Sequence, residues 1–123
     1  MTIASVSISA NQRTGLIVIR LPPQMNLETF RRIEETIFNH VRALRALGRQ
    51  PSLLVDTSLQ GAQSKEVVEA IQSFTNSRLG RELRIAVIVQ SQLRRLQAKR
   101  VHSEETHRIF ETEGDALHWL NLT

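Results

Sequence analysis

Residues 53–68 read LLVDTSLQGAQSKEVV. Leu53, Leu54 and Val55 form an apolar run that ends in Asp56, a polar loop containing Gly61 follows, and Ser64 stands in front of Lys65, Glu66 and a helical pattern. With Ser52 at its head, the short continuous apolar run fits a strand buried on both faces. In a small domain that means a central place in a sheet covered by helices. A second run of the same kind lies at 83–89, where Ile85, Val87 and Val89 fall on one side of a strand and Ala86 and Ile88 on the other. Between them, Val67, Val68, Ile71 and Phe74 recur at helical spacing, and the predicted helix opens at Ser64 and ends near Leu79 and Gly80.

Upstream of the first run lies the clearest helical pattern of the chain. Phe30, Ile33, Ile37, Val41 and Leu44 make the apolar stripe, Leu47 prolongs it, and Arg31, Arg32, Glu34, Glu35 and Arg42 fall mostly on the other side. Asn26 is placed to cap the first turn, Met25 to pack on Phe30, and Gly48 to stop the helix. Earlier still, Ile3, Val6 and Ile8 alternate with small polar residues as in an edge strand. Asn11 to Gly15 carries turn residues, and Leu16 to Leu21 is a β-rich run stopped by Pro22 and Pro23. These two strands read as a hairpin.

Downstream of residue 89 the pattern thins. Gln92 to Val101 is expected to be a third helix carrying Arg94, Arg95, Lys99 and Arg100, and Arg108 to Phe110 a brief last strand. GDALHWLNL forms a terminal helix whose Trp119 anchors the C-terminus. The order is then ββαβαβαβα, which implies an α/β layered fold. Its central sheet is mixed and largely parallel under covering helices, with the hairpin as an antiparallel edge.

Bulk composition bounds the rest. The chain has 123 residues, enough for one core, and a single domain over 1–123 is expected. There is no cysteine, which removes disulfides, thiolate nucleophiles and sulfur-bound zinc. Apolar runs such as Leu16 to Ile19 are far shorter than the roughly 18 to 20 residues that cross a bilayer, so a cytoplasmic protein without a transmembrane segment is expected. Net charge is +4 and the pI about 11.0, yet acidic and basic residues are interspersed and aromatic content is 4%. That composition argues against a nucleic-acid reader, which interleaves aromatics with a basic face. His102 and His107 with Glu104, Glu105 and Glu111 form the one grouping reminiscent of metal ligands, but without the spacing of zinc motifs, and no metal or cofactor is expected. Dinucleotide, P-loop and GxSxG patterns are absent from the sequence.

From about residue 13 to 122 the chain resembles the STAS superfamily, and within it the SpoIIAA-like branch of anti-sigma-factor antagonists. The resemblance is carried by the element order, by LLVDTS leading into a helix, by RIAVIV, and by the ending RIFETEGDALHWLN. It implies a non-enzymatic regulatory or interaction module that works by protein contact or ligand sensing, with a protein partner and self-association as a homodimer both in view. The resemblance also raises a second reading, a carrier of a lipid or small apolar molecule, because some SpoIIAA-like proteins look akin to lipid-transfer domains. Regulatory members carry an Asp-Ser-Ser-Gly type motif after the corresponding strand, with a phosphorylated serine at the next helix start. This chain has Ala62, Gln63, Ser64 and Lys65 there, so Ser64 alone can stand in as phospho-acceptor.

Each candidate has a plainer reading beside it. Ser64 is first an N-cap, since serine is among the best residues at that position. Asp56, Thr57, Ser58, Gln60 and Ser64 can line a ligand or partner loop at the carboxyl end of a central strand, where open α/β sheets place ligands. A loop aspartate that accepts backbone amides is the simpler account of Asp56. An enzyme built on this loop would need a second titratable group brought in from elsewhere. Arg94, Arg95, Lys99 and Arg100 form a candidate anion-contacting patch, or simply a hydrated helix face.

Overall fold

The computed structural model describes residues 7–60, 63–89 and 106–121. Its elements are β1 (Ser7–Ala10), β2 (Leu16–Arg20), α1 (Leu27–Ala46), β3 (Ser52–Asp56), α2 (Lys65–Asn76), α3 (Arg78–Glu82), β4 (Arg84–Ile88), β5 (His107–Phe110) and α4 (Glu113–Trp119). The helix expected at 92–101, with Arg94, Arg95, Lys99 and Arg100, lies outside the described residues, as do Ile3, Val6, His102, Glu104 and Glu105.

Five strands form one sheet in the order β1-β2-β3-β4-β5, antiparallel only between β1 and β2. The two apolar runs lie side by side as expected, Leu53 beside Ile85, Leu54 beside Ala86 and Val55 beside Val87, both strands running the same way. Right-handed crossovers that always step in one direction lay their helices on one face of the sheet. The core follows that rule. Phe30, Ile33, Ile37, Val41 and Leu44 of α1 and Val67, Ala70 and Phe74 of α2 pack with Ile17, Ile19, Leu53, Ile85 and Val87. On the opposite face α4 packs Ala116 and Leu120 against Leu54, Ala86 and Ile88. Strand β3 is therefore covered on both sides, which is why its apolar residues are consecutive instead of alternating.

Local signals explain the helix ends. Asn26 accepts from the Thr29 amide at 2.8 Å and caps α1. At the other end Gly48, with φ +75°, turns the chain so that its amide reaches the Arg45 carbonyl at 3.0 Å and the Arg49 amide reaches Leu44 at 2.9 Å, a Schellman closure. Leu47 is the cap itself and 55% exposed, so it leaves the buried stripe instead of extending it. The second helix is also shorter than its apolar pattern predicts. It stops at Asn76, where Ser77 closes α2 and opens the five-residue α3 by accepting from the Gly80 amide at 3.1 Å. Serine's competition with the backbone for hydrogen bonds accounts for the break.

Candidate functional site

At the carboxyl ends of the parallel strands three loops meet: β2 to α1, β3 to α2, and β5 to α4. Strand β3 ends in Asp56, whose Oδ1 accepts the Ser58 amide at 2.9 Å and holds the loop in a tight turn. The Thr57 hydroxyl donates to the Ile88 carbonyl at 2.6 Å, and the Thr57 amide reaches the same oxygen at 3.1 Å, fastening the loop to β4. Gln63 fastens it to the neighbouring loop, donating to the Pro23 carbonyl and accepting from the Met25 amide, each at 3.4 Å. Between these anchors Leu59 stands 65% exposed, an apolar side chain held out to solvent by a loop fixed on both sides.

The predicted loop residues do not all face one space. Thr57 and Gln60 are buried, Asp56 and Ser58 are paired with each other at the rim, and Ser64 is exposed. Ser64 caps α2, its Oγ accepting the Val67 amide at 3.3 Å.

Asp56 has a partner that sequence reasoning missed. Arg20, its neighbour in register on β2, donates through Nη1 to Asp56 Oδ2 at 2.9 Å and through Nη2 to Glu113 Oε1 at 3.0 Å. One guanidinium thus ties β2, β3 and the first turn of α4. The only signal in the sequence was Arg20 ending a strand at the same height as Asp56, and that needs the register to interpret. Burial pushes the Asp56 carboxyl up, but hydrogen bonds from Ser58 and from Arg20 outweigh it and hold the group below its ordinary value. Arg20 is raised by its bonds to Glu113 and Asp56. An acid/base pair needs two groups whose environments push their pKa values apart, toward the working pH. Here one carboxylate is kept ionised by a permanent cation, which suits a clamp better than proton transfer.

His107 lies away from this rim, at the start of β5 and 2% exposed. Its Nε2 donates to the Gly80 carbonyl at 2.7 Å. Burial lowers its pKa, only partly opposed by that carbonyl, so the ring is neutral and packs as a core residue joining β5 to α3. Among the described residues no group of three or more His, Asp or Glu side chains is placed to hold a metal ion, and no helix is long and apolar enough to cross a membrane.

Trp119 at the end of α4 is half-buried and packs on Phe110 with ring centroids 5.7 Å apart. The Arg84 guanidinium stacks 4.2 Å from its centroid and donates to the Trp119 carbonyl at 2.8 Å, closing the C-terminal end of the helix. This is the anchoring role expected of the tryptophan, achieved by stacking instead of full burial.

No protein-family model and no curated protein sequence matches the chain. Among solved structures it is similar to that of an uncharacterized protein from the DUF3478 family, with a SpoIIAA-like fold, from Shewanella loihica PV-4. The two share 17% sequence identity and superpose with a TM-score of 0.67 over 94% of this chain and 91% of that one. The fold of this chain is SpoIIAA-like.

Proposed function

We propose that the chain is a single STAS-like domain, a cytoplasmic and non-enzymatic module that acts by protein contact through the rim formed by the β2 to α1 and β3 to α2 loops. The observation that carries this reading is Leu59. A large apolar side chain 65% exposed on a loop held by Asp56, Thr57 and Gln63 is already ordered, so a partner burying it has little loop entropy to overcome. Apolar anchors surrounded by polar groups are the usual centres of such contacts. Ser64 begins the helix that leaves this loop and is exposed. A phosphate there would meet free amides and the positive end of α2 while adding about two negative charges to the rim that carries Leu59. That provides a route to regulation without any enzyme chemistry in the chain.

The core speaks against the carrier reading. The layer between the sheet and the α1–α2 pair is filled by Ile17, Ile19, Leu44, Leu53, Val67 and Leu83, each under 2% or at most 2% exposed. A carrier needs roughly 300 Å³ of apolar space in such a layer.

The test is affinity capture from an extract of the protein's own cells, comparing the unaltered chain with Leu59→Asp and Leu47→Asp. A partner retained by the unaltered chain and by Leu47→Asp but lost with Leu59→Asp supports the reading. Equal retention by all three chains refutes it.

A further inference from the structure

The described charges are sorted along the strand axis. Strands β2 to β5 run toward the Asp56 rim, while α1, α2 and α4 run away from it, so the opposite end gathers the strand beginnings and the helix ends. That end carries Arg13 in the hairpin turn, Arg42, Arg45 and Arg49 at the end of α1, and Arg78, Arg81 and Arg84 in and after α3. Among the described residues Glu82 is the one carboxylate there, which leaves seven arginines against one glutamate. The Asp56 rim is acidic on balance, with Glu28, Asp56, Glu66, Glu111, Glu113 and Asp115 against Arg20, Arg31, Arg32 and Lys65, Arg32 being paired to Glu28. Scanning the sequence hides this separation, because each strand-helix unit contributes to both ends.

Hydrogen bonds and ion pairs tie part of this arginine set together. Arg49 donates through Nε to the Gln12 carbonyl at 3.0 Å, next to Arg13. Arg45 reaches Glu82 at 3.1 Å, and Arg78 reaches the same carboxylate at 3.2 Å, so one anion joins α1 to α3 between two cations. All but Arg84 are exposed. Between Arg45 and Arg49 along the chain, at the C-cap of α1, Leu47 is 55% exposed.

We propose that this arginine-rich end is a docking surface for an anionic bilayer, with Leu47 entering the headgroup layer. A protein interface of ordinary size needs an apolar core depleted of charge, and among the described residues of this end Leu47 is the one exposed large apolar side chain. Single-stranded nucleic acid needs several aromatic platforms set among the cations. Among the described residues Trp119 is covered by Arg84, and Phe38, exposed a turn before Arg42, already packs edge-on against Phe74. A lipid surface requires neither shape complementarity nor paired contacts. It rewards several cations within a Debye length of one plane and a short apolar insertion among them. Docked this way, the chain presents Leu59 and Ser64 on its far end, toward solvent. The proposal does not depend on the loop reading above, since it uses the opposite end of the molecule.

The experiment is co-sedimentation of the full chain with vesicles of phosphatidylcholine alone or with about 30% phosphatidylglycerol, in low and in high salt. Binding is expected only to the anionic vesicles and only in low salt. The variant Arg49→Glu/Arg81→Glu is expected to weaken it about 30-fold or more, at roughly a factor of five for each cation lost. Leu47→Ser is expected to weaken it several-fold. Arg31→Glu/Arg32→Glu changes net charge by the same amount on α1 away from this end and is expected to leave most of the binding in place. Circular dichroism melts confirm that each variant is folded. Equal loss in the two double variants would show that net charge alone is sensed and would overturn the proposal. So would an absence of vesicle binding, or retention on immobilised polyglutamate without vesicle binding, which would redirect this surface to an acidic protein.

Discussion

Replacing Leu53 and Leu54 by alanine, one at a time, tests the placement on which the architecture rests. The two side chains are consecutive on β3, each 1% exposed, and they point to opposite faces of the sheet. Leu53 belongs to the large core under α1 and α2, whereas Leu54 belongs to the smaller cluster with Ala86, Ile88, Ala116 and Leu120. Truncating a buried leucine costs about 2 to 5 kcal/mol, the spread reflecting how far the surroundings relax into the cavity. The dense layer around Leu53 relaxes little, which puts its cost near 4 kcal/mol. Leu54 is bordered by the half-buried Val18, Phe110 and Leu117 and falls nearer 2.5 kcal/mol. With a urea slope of about 2 kcal/mol per molar, the midpoints shift by about 2 M and 1.2 M. Leu59→Ala, exposed on its loop, is the control and shifts stability by no more than about 0.5 kcal/mol. The assay is equilibrium urea unfolding followed by Trp119 fluorescence and far-ultraviolet circular dichroism. If either core variant costs less than about 1 kcal/mol, then β3 has a wet face and cannot be the covered central strand described above.

Ser64→Ala removes an N-cap and is expected to lower stability by about 1 kcal/mol, while Ser64→Asp keeps the capping acceptor and stays near the unaltered value; thermal melts distinguish them. Gly80→Ala is expected to cost about 2 kcal/mol or more, because its Cβ would overlap the Phe74 carbonyl and lie 2.8 Å from that of Thr75. Those neighbours are backbone atoms, so only an opening of the α2–α3 junction relieves the overlap, and urea unfolding reads the loss. Acid should weaken the fold in two stages. The His107 pKa is lowered from 6.5 by burial, so the unfolded chain binds its proton first and stability is lost as pH falls below about 6.5. Asp56 is lowered from 3.8 in the same sense and adds its loss only as pH falls below about 3.8. His107→Gln should flatten the upper stage in unfolding curves taken between pH 7.5 and 5, and an unchanged slope would argue against a buried neutral ring.

Much of the fold was legible because its signals are local. Asn26, Gly48, Ser64 and the prolines after β2 mark element ends through their own backbone and side-chain chemistry. The consecutive apolar residues of β3 and β4 by themselves announce burial on two faces. Where the pattern misled, a nearby group had changed the local balance. Leu47 looks like one more residue of the α1 stripe, but the Schellman turn at Gly48 ends the helix under it and turns it outward. Val67 to Gly80 looks like one helix because apolar spacing carries across Ser77, whose side chain takes over the capping of both halves.

The amino-acid sequence by itself determined the order of the described strands, where α1 opens and closes, that the sheet is largely parallel, and that Ser64 caps a helix. Those properties depend on neighbours within one turn or on a repeating pattern. Only the tertiary structure decided that Arg20 joins Asp56 to Glu113, that Thr57 and Gln60 turn inward while Leu59 turns out, and that seven arginines share one end of the molecule. Contacts between residues 36 and 93 positions apart are set by sheet register, and charge separation along the strand axis is set by the alternating direction of strands and helices. Neither quantity exists until the chain has closed on itself.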